Sequence, residues 1–174
     1  MSAPFVILTG ASGVGKTTIA QAIANSQNRI TVYQGDRIGL PSDEVMAGYG
    51  HTDEPGGPTQ RGFALYWIGV IGNELKANRP VLLETQCRIA FLHEALMLHG
   101  IAHGRIVLVE CSDESRRNRL EDRGQPELAN EQMSNWSRLL HREAKEFGHE
   151  ILDTTDLPLR VSIARVLSYF NADR

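Results

Sequence analysis

The chain has 174 residues, 41% hydrophobic and 22% charged, which suits one globular domain able to bury roughly 70% of its unfolded surface. A net charge of −3 and a pI near 6.1 argue against a broad nucleic-acid-binding or anionic-membrane surface. The longest apolar stretch, FALYWIGVIG at 63–72, is too short and glycine-rich to span a bilayer, and no basic region precedes Phe5. A cytoplasmic protein without nucleic-acid or membrane partners is therefore expected, its oligomeric state left open.

The first element is the run Phe5-Val6-Ile7-Leu8, closed by Thr9-Gly10 and reading as a strand buried on both faces. Beyond Lys16, Ile19, Ala20, Ile23 and Ala24 recur at helical spacing. Between strand and helix, Gly10, Gly15, Lys16 and Thr17 fit the phosphate-binding pattern G-x-x-x-x-G-K-[ST] in the context it requires. Four fixed positions would match by chance in about one chain per hundred of this length. Glycine lets the backbone approach an anion closely, so that successive N–H groups point inward, and the following helix adds its positive end. Lys16 would place an ammonium on the β- and γ-phosphates, and the Thr17 hydroxyl would ligate Mg²⁺. The expected contacts to the nucleotide are Gly10, Ser12, Gly13, Val14, Gly15, Lys16, Thr17 and Thr18.

A second apolar run, RITVYQGD, ends at Asp36, a third, RPVLLETQCR, at Glu84, and GRIVLVECSDE and HEILDTTD give two more. Helical patterns cover about 60–77, 88–99, 113–122, 128–147 and 157–171. Five strands alternating with helices predict a single α/β domain over 1–174: a five-stranded parallel sheet with helices on both faces in three layers. Ligands of such sheets bind beyond the carboxyl ends of the strands, which singles out Asp36, Glu84 and Asp153. The irregular segment Pro41–Pro58 is expected to form a loop of about 41–60 on the acceptor side of that crevice, or a plain surface loop. Cys87 and Cys111 are expected as free buried thiols, and His93, His99 and His103 match no standard metal spacing.

The phosphate loop and this element order resemble the P-loop small-molecule kinases, the group that contains gluconate, shikimate, adenylate and related nucleoside or antibiotic kinases. The resemblance implies a P-loop NTPase fold, ATP and Mg²⁺ as cofactors, and a small-molecule acceptor. It implies catalytic roles for Lys16, Asp36, Glu84, Arg119 and Arg123, and metal contacts from Thr17, Asp36 and Glu84. In these kinases an acid ending the second strand often faces the acceptor hydroxyl or the metal, the role carried to Asp36. An aspartate commonly organises Mg²⁺ water beside the phosphate-loop strand. The present residue there is Glu84, one methylene longer, which leaves a base or acceptor-binding role as open as a metal role. SRRNRLEDRG resembles the R-x-x-x-R segment of a kinase lid, placing the lid at about 113–142. Arg116, Arg119 and Arg123 share one helix face by spacing, with Arg142 as a lesser candidate.

Gln86 and Arg88 are expected to face the acceptor, and Tyr66 or Trp67 to supply an aromatic wall, one of the two being core because adjacent helical residues diverge. DTTDLP resembles the loop beside the nucleotide base, with Thr155 or Asp156 alternatively capping the last helix. The expected activity is phosphoryl transfer from ATP to a small hydroxylated molecule. The other reading is a plain NTPase or a nucleotide-dependent switch acting on a partner.

Overall fold

The computed structural model describes residues 3–27 and 29–171. The chain runs β1 (Phe5–Thr9), α1 (Lys16–Ser26), β2 (Thr31–Gln34), α2 (Gly35–Ile38), α3 (Asp43–Ala47), α4 (Gly57–Lys76), β3 (Val81–Glu84) and α5 (Ile89–Leu98). It continues through β4 (Gly104–Glu110), α6 (Asp113–Asp122), a 3₁₀ turn at Pro126–Leu128, α7 (Glu131–Glu146), β5 (Glu150–Asp153) and α8 (Leu159–Ser168). All five strands are parallel, in the order β2-β3-β1-β4-β5. This is the expected three-layer arrangement.

Alternation along the strands builds two cores. Phe5, Ile7, Val81, Leu83, Ile106 and Leu108 face α4, α5 and α7. Val6, Leu8, Leu82, Val107 and Val109 face α1 and α8. Because β1 is covered on both sides it is apolar throughout, as a central parallel strand must be.

Side-chain caps set several helix starts. Ser42 accepts from the Val45 N–H (3.4 Å), Ser112 from the Ser115 N–H (3.1 Å) and Asn130 from the Met133 N–H (2.8 Å). The Ser42 cap and the acids Asp43 and Glu44 behind it give Pro41–Pro58 a short helix, α3, in place of a continuous loop. Pro58 sits in the first turn of α4, a position that needs no backbone donor, so α4 begins at Gly57 rather than near 60. The second strand likewise stops at Gln34, and Asp36 belongs to α2.

The contact between α4 and α5 is keyed by one imidazole. His99, at the end of α5, donates from Nε2 to the Leu65 carbonyl at 2.8 Å. Its ring occupies the space above Gly69, where a Cβ would lie 2.6 Å from the ring. Both cysteines are free, Cys87 buried and Cys111 half-buried, the latter more open than expected. Burial pushes the Cys87 thiol up to about 12. Among the described residues, no helix is long and apolar enough to cross a membrane.

Candidate active site

The loop from Thr9 to Lys16 turns tightly against the ends of β4 and α6. A Cβ on Gly10 would lie 2.2 Å from the Val109 carbonyl oxygen. Gly13 has φ +85° and packs on Leu120 and Arg116, so closely that a Cβ there would lie 2.8 Å from the Leu120 side chain. Side chains at these two positions would displace the loop from the strand ends. Val14 is buried, and its carbonyl accepts from Arg119 (3.3 Å) and Thr154 (3.0 Å), which fixes the loop from behind.

Lys16 is 6% exposed and donates to the Ala11 carbonyl at 2.9 Å. Burial lowers its pKa from the ordinary lysine value, opposed by the nearby charges of Glu84 and Asp36. Glu84 is 4% exposed. Burial raises its pKa above the usual carboxylate range, against the pull of Lys16 and of the Thr17 hydroxyl, which donates to Oε1 at 3.3 Å. Both shifts have the same sense: each group is held in a place that disfavours its charge.

A small polar cavity brings Ser12, Lys16, Thr17, Asp36, Glu84 and Arg123 together. The strand register explains the convergence. Gln34 of β2 and Leu8 of β1 both align with Glu84 of β3, so α2 and the phosphate loop start side by side. The donor set fits a polyphosphate: an ammonium, a guanidinium, two hydroxyls and a loop whose side chains are minimal. Thr17, Glu84 and Asp36 supply the hard oxygen donors that Mg²⁺ accepts alongside phosphate and water.

Two further cavities flank this one. A cavity of about 210 Å³ is lined by Val14, Thr18, Arg119, Thr154, Leu157 and Leu159, beside the DTTDLP segment. On the opposite side, a cavity of about 290 Å³ is lined by Asp36, Leu40, Gln60, Phe63, Gln86 and Cys87. Asp36 and Gln86 line both this cavity and the phosphate cavity.

Several expectations need correction. Asp153 does not join the crevice: it lies at the exposed end of edge strand β5 and accepts from the Thr155 N–H (2.8 Å) and hydroxyl (2.6 Å). Thr155 therefore does not cap α8, whose preceding residue is Pro158. Its hydroxyl accepts from the Ser112 N–H at 2.9 Å. Arg116 and Arg119 of α6 and Arg123, its C-cap, part company despite their spacing. Arg116 is buried beneath Gly13 and donates to Asp113 (2.8 Å) and Ser134 (2.7 Å). Arg119 is bound to Val14 and to the Thr154 hydroxyl and carbonyl (2.9 and 2.6 Å), so it braces the cavity beside the DTTDLP segment. Arg123 alone of the three lines the phosphate cavity.

Arg88 does not line the cavity of about 290 Å³, because its guanidinium is paired with buried Glu143 and with Glu54. Trp67 donates from Nε1 to the Gly39 carbonyl (2.9 Å) and meets Tyr66 edge-on at 5.2 Å, so the two adjacent rings do touch. The aromatic side of the cavity is Phe63, one turn earlier. Sequence reasoning also missed Thr154 and Gln60. Thr154 differs from Thr155 only by strand parity, and Gln60 sits where the helix was expected only to begin.

A family model described as an AAA domain matches residues 6–146. No curated protein matches the chain significantly. Solved structures similar to it include a gluconokinase from Sinorhizobium meliloti, with a TM-score of 0.64 and 17% identity, covering 97% of this chain and 91% of that one. A sugar kinase from Janibacter gives a TM-score of 0.67 at 19% identity, covering 97% and 95%. A shikimate kinase from Acinetobacter baumannii in complex with shikimate gives 0.56 at 22%, covering 99% and 95%. These agree with the fold implied by the phosphate loop and element order, and the chain belongs to the AAA domain family, with the P-loop architecture of the small-molecule kinases.

Proposed function

We propose that the protein is an ATP-dependent phosphotransferase that moves the γ-phosphoryl group of Mg-ATP to a hydroxyl, or a phosphate, of a small molecule. The observation that carries this reading is the pair of cavities meeting at Asp36 and Gln86. A protein that only hydrolyses nucleotide needs no second cavity opening onto the phosphate site.

In this reading the base enters between Val14, Thr18 and Leu157, with Arg119 and Thr154 behind it. The phosphates lie over the loop from Ser12 to Thr17, and the Lys16 ammonium leaves the Ala11 carbonyl for the β- and γ-oxygens. Phosphoryl transfer asks for alignment and charge neutralisation more than for covalent chemistry. Arg123 supplies the second cation. Thr17 and Glu84 would hold Mg²⁺, directly or through water, and the ion would neutralise charge developing on the phosphate oxygens. Asp36 is the base, because its carboxylate borders both cavities whereas Glu84 borders the phosphate cavity and is bonded to Thr17. The acceptor hydroxyl gives its proton to Asp36 as its oxygen bonds to phosphorus and ADP leaves.

The test is ADP release measured with a library of hydroxylated acceptors. Stimulation by an acceptor, with a matching phosphorylated product, is the expected result. Rapid acceptor-independent hydrolysis that no compound stimulates would establish the NTPase reading instead.

A further inference from the structure

We infer that the acceptor carries no carboxylate or phosphate group: it is an uncharged, or amine-bearing, hydroxylated molecule with one apolar face. This rests on the kinase reading and narrows the substrate class of the same site. Among the described residues lining the acceptor cavity, Asp36 is the one charged side chain. An anion placed there would meet Asp36 at short range, with Glu84 behind it, and would find no cation lining the cavity to offset its lost hydration.

Two of the cations close by are already committed, and a third, Arg37 beside Asp36 on α2, is exposed and is not among the residues lining the cavity. Arg61 is held by both oxygens of Glu94, at 2.9 and 2.5 Å, and by the Tyr49 carbonyl. Arg88 is held between Glu143 and Glu54 and lies over the Phe91 ring. Freeing Arg88 would leave the Glu143 carboxylate, in a side chain only 4% exposed, without its guanidinium. Lys16 and Arg123 line the phosphate cavity and are not among the residues of the acceptor cavity.

The cavity offers neutral hydrogen bonds instead. The Gln60 amide oxygen accepts from the Arg88 N–H at 3.0 Å, which assigns its orientation and leaves the amide nitrogen as a donor for a ligand. Gln86 accepts from the Ser12 hydroxyl at 3.2 Å, tying the acceptor wall to the phosphate loop. Phe63, Leu40 and Cys87 form the apolar side. At about 290 Å³ the space is at the small end of ligand sites, which run roughly 300–1,000 Å³.

The experiment uses matched acceptor pairs that differ by one anionic group, such as a sugar and its sugar acid, a polyol and its phosphate ester, or a nucleoside and its monophosphate. ADP release is read with the wild type and with Leu40→Arg. Leu40 is 60% exposed at the cavity rim, so an arginine there adds a cation at little packing cost. In any pair that stimulates the wild type, the member without the anion should be favoured by about tenfold or more in kcat/KM, and Leu40→Arg should narrow or reverse that ratio, since a guanidinium is the natural partner of a carboxylate or phosphate. Preference of the wild type for the anionic member would overturn the inference while leaving the kinase reading intact. Stimulation by no member, alongside ATP hydrolysis that Lys16→Ala abolishes, would overturn the kinase reading and the inference with it.

Discussion

The two ends of the crevice are built by different means. At the phosphate end most of the lining comes from one continuous segment, Ser12 to Thr18, joined by Asp36, Glu84, Gln86 and Arg123, and the loop is anchored from behind by Thr154 and Arg119. At the acceptor end the walls come from α2, from the first turns of α4 and from the segment after β3, and side chains make the contacts. An anion site made of backbone tolerates little change, whereas a wall of side chains can be refitted one residue at a time. In the proposed reaction the first end would carry the phosphoryl chemistry, and the second would select the acceptor.

Asp36 lies on the boundary, so its substitution tests the division most severely. Asp36→Asn should lower acceptor-dependent turnover by about 10²- to 10⁴-fold, the usual contribution of a general base. Nucleotide affinity, measured by titration calorimetry, should hold. If affinity falls in step with turnover, Asp36 belongs to the phosphate end alone.

Lys16→Ala probes the backbone-built end. Turnover should fall by about 10²- to 10³-fold, as when a positioned charge donor is removed. The circular dichroism spectrum should stay that of a folded chain, because the buried ammonium is disfavoured by its surroundings rather than holding them together. Unfolding would mean that the Lys16 bond to Ala11 carries the loop.

The arginines sharpen the contrast at smaller amplitude. Arg119→Ala removes three hydrogen bonds that brace the loop. It should weaken nucleotide binding about tenfold and lower the melting temperature. Arg123→Ala, at the exposed end of α6, should lower turnover about tenfold with unchanged melting. An identical pattern in both variants would contradict the separate roles drawn from their partners.

The smallest effect lies away from both ends. Burial, aided by neighbouring His93, holds the His149 pKa below its ordinary value of 6.5. Between the folded value and 6.5 the unfolded chain binds more protons. The His149 contribution is therefore complete above pH 6.5 and is lost as pH falls through that window. His149→Gln should flatten the decline of urea midpoints between pH 7 and 5, and an unchanged slope would assign the decline elsewhere.

The same division decides how much could be read from the sequence. The phosphate loop is local, so Lys16 and Thr17 declare themselves by spacing, and apolar runs identified the strands, most plainly β1 and β3, where burial on both faces leaves few polar interruptions. Convergence of Asp36 and Glu84 followed from the strand ends, and Arg123 came from the resemblance of its segment to a kinase lid. The acceptor end was far less legible. Arg88 looks available until Glu143, 55 residues later, is folded against it. Phe63 and Trp67 lie one turn apart on the same helix, and which of them borders the cavity depends on how α4 is rotated. Helical spacing put Arg116, Arg119 and Arg123 together, but their partners on α7 and beyond β5 separated them.

The seat of His99 in α4 gives evolution a point of adjustment far from any substrate. Gly69 follows Gln60 by nine residues, about 13 Å along the axis of α4 at 1.5 Å per residue. Any larger residue at 69 must push the imidazole or shift the rod on which Gln60 and Phe63 ride. The phosphate loop leads into α1, on the opposite face of the sheet, and would not register the displacement. In the proposed reaction, a change at this remote glycine would thus alter the fit of the acceptor while every residue lining the crevice stays the same.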